Sequence, residues 1–184
     1  MNDETKPADR SVDERGEPVR LGEYNGFEVY PMPMFATLAA EDPSALAAWY
    51  QAALGFASMF AGPVIHLRRG KYQDLLVVRG APPAEGMAAP VLSFHVEGEI
   101  DALAARARAV EPQGRSSVEG PVDTPWNTRD LRVTDPVGHR LVFTSRRAEP
   151  DPEISRRWQE AFEAGRRAAP LNESSRSPKS DRPA

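Results

Sequence analysis

Residues 125–143, Pro-Trp-Asn-Thr-Arg-Asp-Leu-Arg-Val-Thr-Asp-Pro-Val-Gly-His-Arg-Leu-Val-Phe, constrain this chain more than any other stretch. Leu131 and Val133 alternate with Asp130, Arg132 and Thr134, the period of a half-buried strand. Asp135-Pro136-Val137-Gly138 is turn chemistry. An aspartate bonds the backbone just ahead of it, proline presets φ, and glycine accepts a positive φ. Beyond the turn, Leu141 and Phe143 share one face, while Arg140, Val142 and Thr144 share the other. The stretch reads as strand, turn, strand, with one face for a core and one left over.

The rest of the chain is arranged around such units. Residues 1–24 are polar and nearly free of large apolar side chains, so burial cannot offset ordering entropy and a disordered tail is expected. Phe27 to Tyr30 suits a short strand, and Pro31 and Pro33 exclude a helix around Met32. Met34–Ala40 reads as the first core strand. Asp42 then caps a helix with Pro43 at its first position, where the missing N–H costs nothing. Leu46, Trp49, Tyr50 and Ala53 recur at helical spacing, and Gly55 suits a left-handed C-cap. Residues 56–60, 64–68 and 72–79 read as strands, the last too apolar for an alternating face and so expected inside a sheet. Residues 80–90, punctuated by proline and glycine, read as a linker.

The pattern then repeats: a strand over residues 91–96 and a helix over 99–110, with Ile100, Leu103, Ala107 and Val110 inward. Leu38 and Phe94 stand 56 residues apart, Leu46 and Leu103 57, so strand, helix and strands recur at nearly one period. After Phe143 the core stops. Asp151-Pro152 opens a last helix over 151–169, whose Ile154, Trp158 and Phe162 make a narrow apolar stripe. That stripe is expected to dock on its own core or on a partner subunit. From Pro170 to residue 184 the tail is again expected to be disordered.

Two motifs carry a resemblance. Pro125-Trp126-X-X-Arg129, followed by Asp135-Pro136-X-Gly138 and a strand, resembles the closing hairpin of the vicinal oxygen chelate superfamily, which holds glyoxalases, extradiol dioxygenases and bleomycin-resistance proteins. Trp49-Tyr50-Gln51-Ala52-Ala53-Leu54-Gly55-Phe56 is similar to the end of that family's first helix. The resemblance covers residues 33–146. It implies an α+β fold of two βαβββ modules, about 33–80 and 90–146, whose sheets curl into a cup. The domain would span 25–148. It also implies pairing into a homodimer that completes two cups.

In metal-dependent members the cup holds His, Gln or Glu donors. Carried over one at a time, the resemblance places these on Phe35, Val91 and Val142, with the fourth falling on Asp74 by a weaker count. Phe and Val have no lone pair to give a divalent ion. The resemblance thus implies the fold while these residues argue against a metal or other cofactor, and lean against catalysis. Of the histidines, His139 reads as a solvated turn residue, and His66 as either a strand-surface or a cup residue. His95 shares a face with Val91 and Ser93, as a ligand contact or a structural histidine. A relocated His66, His95 and Asp74 metal site is a further alternative.

The face assignment lines a cup with Phe35, Thr37, Ser93, His95, Thr128, Asp130, Arg132, Arg140 and Val142. Trp126 is placed at its rim, with a core or dimer-interface tryptophan as the other reading, and Phe60 near its mouth. Aromatic rings with a few polar groups suit a flat, partly polar molecule. The expectation is a metal-free protein of the bleomycin-resistance-like branch that sequesters an antibiotic or aromatic natural product. The alternative is a metal-dependent lyase, isomerase or dioxygenase of the same fold; a third is an interaction module using the last helix. Arg132 and Arg140 disfavour a cationic drug such as bleomycin.

Composition narrows the partners. A net charge of −4 with interspersed signs leaves no basic footprint for nucleic acid. No cysteine is present, which removes disulfides and thiolate chemistry. The N-terminus lacks the pattern of a secretory signal and no apolar run is long enough to span a bilayer, so a cytoplasmic protein without membrane contact is expected.

Overall fold

The computed structural model describes residues 23–24, 27–28, 34–86 and 90–168. A small hairpin, β1 (Glu23–Tyr24) and β2 (Phe27–Glu28), comes first. The first module runs β3 (Ala36–Ala40), α1 (Pro43–Leu54), β4 (Ala57–Ala61), β5 (Val64–Arg68), β6 (Asp74–Arg79). The second runs β7 (Val91–His95), α2 (Ile100–Ala109), β8 (Ser117–Asp123), β9 (Thr128–Thr134), β10 (Arg140–Arg146), and α3 (Pro152–Ala168) follows. Each module makes one four-stranded sheet, in the orders β3-β6-β5-β4 and β7-β10-β9-β8. In each the first strand pairs parallel with the last, and the remaining pairs are antiparallel. A parallel pair needs a long crossover, which the helix supplies. The fold is α+β, with two βαβββ modules, no closed barrel and an added helix.

Local chemistry sets α1. Asp42 Oδ1 accepts from the N–H groups of Ser44 and Ala45, each at 3.0 Å, and Gly55 ends the helix at φ 72°. Both ends are therefore satisfied within a few residues. Its apolar stripe, with Leu46, Trp49, Tyr50 and Ala53, is buried. In α2 the buried stripe is Ile100, Leu103, Ala104 and Ala107. The paired positions Leu38 and Phe94, and Leu46 and Leu103, are all in the core, so the period of 56 to 57 residues is a structural repeat.

One core serves both modules. Edge-to-face contacts run from Trp49 to Tyr50 (5.5 Å), Tyr50 to Phe56 (5.5 Å) and Phe56 to Phe94 (5.9 Å), and Phe94 stacks on Phe143 at 5.4 Å. Such geometry adds to the stabilisation from burial alone. The sheets present Leu38, Leu67, Leu75 and Val77, and Leu131, Val133, Leu141 and Phe143, to this core. Strand β6 lies inside its sheet, as its apolar run requires.

Several readings need correction. Glu23 and Tyr24 belong to a strand pair, whereas the tail was expected to run to residue 24. The first core strand begins at Ala36, after Met34 and Phe35, and β6 begins at Asp74, because Tyr72 adopts a left-handed φ of 63° in the preceding turn. Strand β8 was not located from sequence: Gly120 and Pro121 interrupt it, and the register shifts between Glu119 and Val122. Of the α3 stripe Ile154 is half-buried beside Pro125 and Trp126, but the described core covers neither of the other two residues. Trp158 is 56% exposed and Phe162 68%. The expected tail segments 1–22 and 170–184 lie outside the described residues. Among the described residues no helix is long and apolar enough to cross a membrane.

Candidate functional site: the open faces of the sheets

Strand alternation sends one set of side chains into the core and leaves the other set on a face that neither α1 nor α2 covers. Cross-strand register orders these open faces into rows. On the second sheet one row is Ser93, Val142, Arg132 and Glu119; the row before it is Val91, Arg140, Thr134 and Ser117; the row after it is His95, Thr144, Asp130 and Val122. On the first sheet the corresponding central row is Thr37, Leu76, His66 and Phe60, flanked by a row holding Asp74 and Arg68.

The structure thus brings Ser93, His95, Arg132, Arg140 and Val142 together on one face, along with Thr128 and Asp130. Ser93, His95, Arg132 and Arg140 are exposed, and Val142 is half-buried. Asp130 is buried, and its Oδ1 accepts from the hydroxyls of Thr144 at 2.8 Å and Thr128 at 3.0 Å. Thr37 and Phe60 lie on the face of the other sheet, with Phe35 one step before it; Phe35 and Phe60 are 48% and 58% exposed. The Phe60 ring packs over Gly62, where a Cβ would sit 2.8 Å from its Cζ.

Trp126 does not join either face. It sits at the β8–β9 hairpin, half-exposed, and with Pro125, Ile154, Arg157, Trp158 and Ala161 lines a groove of about 330 Å³. Its neighbour Asn127, at φ 61°, holds the start of α3: its Nδ2 donates to Asp151 O (3.0 Å) and Ser155 Oγ (2.8 Å), and its Oδ1 accepts from Asp151 N (2.8 Å).

His139 is a correction. It is buried, not solvated, because Asp135 gathers the turn around it. Asp135 Oδ1 accepts from the backbone N–H of Val137, Gly138 and His139 at 3.0, 2.8 and 2.8 Å. Its Oδ2 lies 2.7 Å from His139 Nδ1 and accepts from Tyr50 Oη at 3.0 Å. Burial above all, then the adjacent Asp135 charge and hydrogen bond, push the Tyr50 phenol well above its usual value of 10.0. The two sequence motifs are therefore one physical unit, joined by a buried hydrogen bond across 85 residues.

A second polar cluster was not anticipated as a unit. Arg68 Nε donates to Asp74 Oδ1 at 2.6 Å, and His66 Nε2 lies 2.6 Å from the same oxygen. Arg68 and Asp74 are buried. The signal was available: His66 and Arg68 share one face of an otherwise apolar strand, facing the polar residue that opens the next.

The positions to which the resemblance assigns metal donors do not fit a divalent ion. Phe35, Val91 and Val142 offer no donor; on β6 the register sets Leu76, not Asp74, at the position equivalent to Val142, and the Asp74 carboxylate is in any case engaged by a guanidinium and an imidazole. His66 and Asp74 do not extend to His95: among the described residues no three or more His, Asp or Glu side chains gather as a metal site needs.

The sequence and fold have relatives. No curated protein matches. Among solved structures, the fosfomycin resistance protein FosX from Listeria monocytogenes, complexed with Mn(II) and sulfate ion, aligns with a TM-score of 0.52 at 13% identity, over 68% of this chain and 95% of that one. The hypothetical protein SA1046 from S. aureus aligns at 0.51 and 16% identity, over 64% and 95%. TioX from Micromonospora sp. ML1 is 23% identical over 61% of this chain and 97% of that one, with a TM-score of 0.49. At these identities the likenesses to FosX and SA1046 speak for the fold alone. Residues 34–143 match the family pattern described as Glyoxalase/Bleomycin resistance protein/Dioxygenase superfamily, and the chain belongs to that superfamily.

Proposed function

We propose that this protein binds a small molecule, an antibiotic or aromatic natural product, and acts by sequestering it without a metal. The observation that carries the reading is the residue set at the expected donor positions: three apolar side chains, and a carboxylate whose Oδ1 already meets Arg68 and His66. The open face of the second sheet supplies the contacts, with Val142 as apolar floor and Ser93, His95, Arg132 and Arg140 as polar groups around it. Phe35, Thr37 and Phe60 offer further contacts from the other sheet. We further propose that the protein works as a homodimer in the cytoplasm, without nucleic-acid or membrane partners.

The test separates binding from turnover. Protein purified without chelator is analysed for metals, then incubated with a panel of aromatic natural products, including bleomycin-type and quinone antibiotics. Binding is followed by calorimetry, and each bound compound is recovered and weighed by mass spectrometry. The expected result is saturable binding, recovery of the unchanged compound, and far less than one transition metal per chain. A modified product that needs a stoichiometric metal would transfer the assignment to a metal-dependent lyase, isomerase or dioxygenase.

A further inference from the structure

The two open faces treat charge in opposite ways. On the first sheet the cation Arg68 on β5 meets Asp74 directly across on β6, and both are buried. On the second sheet the strand equivalent to β6 is β10, and the position equivalent to Asp74 holds Arg140, paired with Thr134. Arg132 lies opposite Val142, two residues along β10 from Arg140. The two arginines are therefore diagonal neighbours, ~7–8 Å apart at such a step of an antiparallel ladder. Both are exposed, and among the described residues neither guanidinium has a hydrogen-bond or ion-pair partner.

The other charges on that face do not resolve this. Asp130 is buried, with Thr128 and Thr144 bonded to its Oδ1. Glu119 lies across from Arg132 on the edge strand β8, exposed, and makes no ion pair with it. His95 stands two residues past Ser93 on β7, and Arg146 adds a third guanidinium further along β10. Like charges this close are unfavourable until something of opposite sign sits between them. Guanidinium groups present forked donors that match a planar or tetrahedral oxyanion. Ser93, across from Val142, adds a hydroxyl to the same row.

We propose that Arg132 and Arg140 form an oxyanion site, so that the ligand of this face carries a carboxylate, sulfonate, sulfate or phosphonate group, with its apolar part over Val142. This deepens the small-molecule reading and rests on it for the apolar part alone. The oxyanion comes either free or as part of an organic molecule.

The probes are sodium sulfate, sodium phosphate, 2-naphthoate, naphthalene-2-sulfonate and the uncharged 2-naphthamide, titrated by calorimetry into the full chain at low ionic strength. The aromatic acids should bind about tenfold or more tighter than the amide and be displaced by sulfate. Arg132→Gln and Arg140→Gln should each weaken the acids about tenfold and the amide far less, and the lysine variants should fall between. Arg156→Gln, on exposed α3, is the control and should change nothing. Sulfate or phosphate binding more tightly than the aromatic acids would identify a free oxyanion as the ligand of the same site. Acids that bind wild type and the Arg132/Arg140 double variant equally would overturn the oxyanion site and leave sequestration standing. Sulfate binding with no affinity for any aromatic or natural product would do the reverse. A double variant that changes the mass by light scattering, with oxyanion binding intact, would assign these arginines to another copy of the chain and sink the proposal.

Discussion

Asp135 does the work of several residues. Its carboxylate accepts three backbone N–H groups and the Tyr50 hydroxyl, with His139 against it, and it is fully buried. A buried carboxylate persists only when its lone pairs are filled. Replacing Tyr50 with Phe removes one donor to a charged group and should cost about 1–2 kcal/mol in urea unfolding. Asp135→Ala strands a buried hydroxyl and three N–H groups and should cost about 3 kcal/mol or more. The pH dependence follows from the raised phenol. The folded chain keeps Tyr50 neutral where the unfolded chain ionises it, so the stability is intact below about pH 10 and falls as pH rises beyond it. Wild type should therefore lose stability more steeply above pH 10 than Tyr50→Phe, and parallel curves would disconnect Tyr50 from the alkaline limb. The turn was legible in sequence from Asp135, Pro136 and Gly138, which act locally. The burial of His139 was not, because it depends on Tyr50 arriving from the other module.

The same division appears among the elements. Helix α1 could be read almost to the residue, since Asp42, Pro43 and Gly55 fix its ends by contacts within a few positions. Strand β8 could not, because Gly120 and Pro121 are loop signals locally, and the strand exists through its pairing with β9. The open-face residues Ser93, His95, Arg132, Arg140 and Val142 followed from alternation alone. Trp126 did not, since its surroundings come from α3. That helix is tied to the domain at its first turn by Asn127, whose left-handed φ of 61° also shapes the hairpin. Asn127→Gly keeps the backbone freedom and deletes the tether. It should raise amide exchange and protease cleavage around 148–156 severalfold while shifting the main thermal transition by no more than a few degrees. An unchanged exchange rate there would show that α3 is held by something other than Asn127.

At the scale of the whole molecule, each sheet keeps, among the described residues, an outermost strand with no further partner. Strands β3 and β7 begin the two modules, and each is an outermost strand. Apolar residues crowd their starts: Met34 is 81% exposed, and Phe35 and Val91 are each 48%. A free edge with exposed apolar groups is a template for another chain, and native proteins cover or charge such edges. Here neither edge carries a charge at these positions, and the edge-strand start is where the proposed dimer would be most apolar. Light scattering at micromolar concentration should give twice the 20.2 kDa chain mass. Val91 is the residue to change, because Arg140 lies directly across from it and a lysine there places two like charges on neighbouring strands at the edge. Val91→Lys should weaken self-association at least tenfold and shift the mass toward the monomer, with the helical and strand signals by circular dichroism unaltered. A wild-type protein that stays monomeric at tens of micromolar would reject the dimer. A variant that stays dimeric would move the contact away from β7, to the exposed Trp158 and Phe162 stripe of α3, where the paired test is Trp158→Ser.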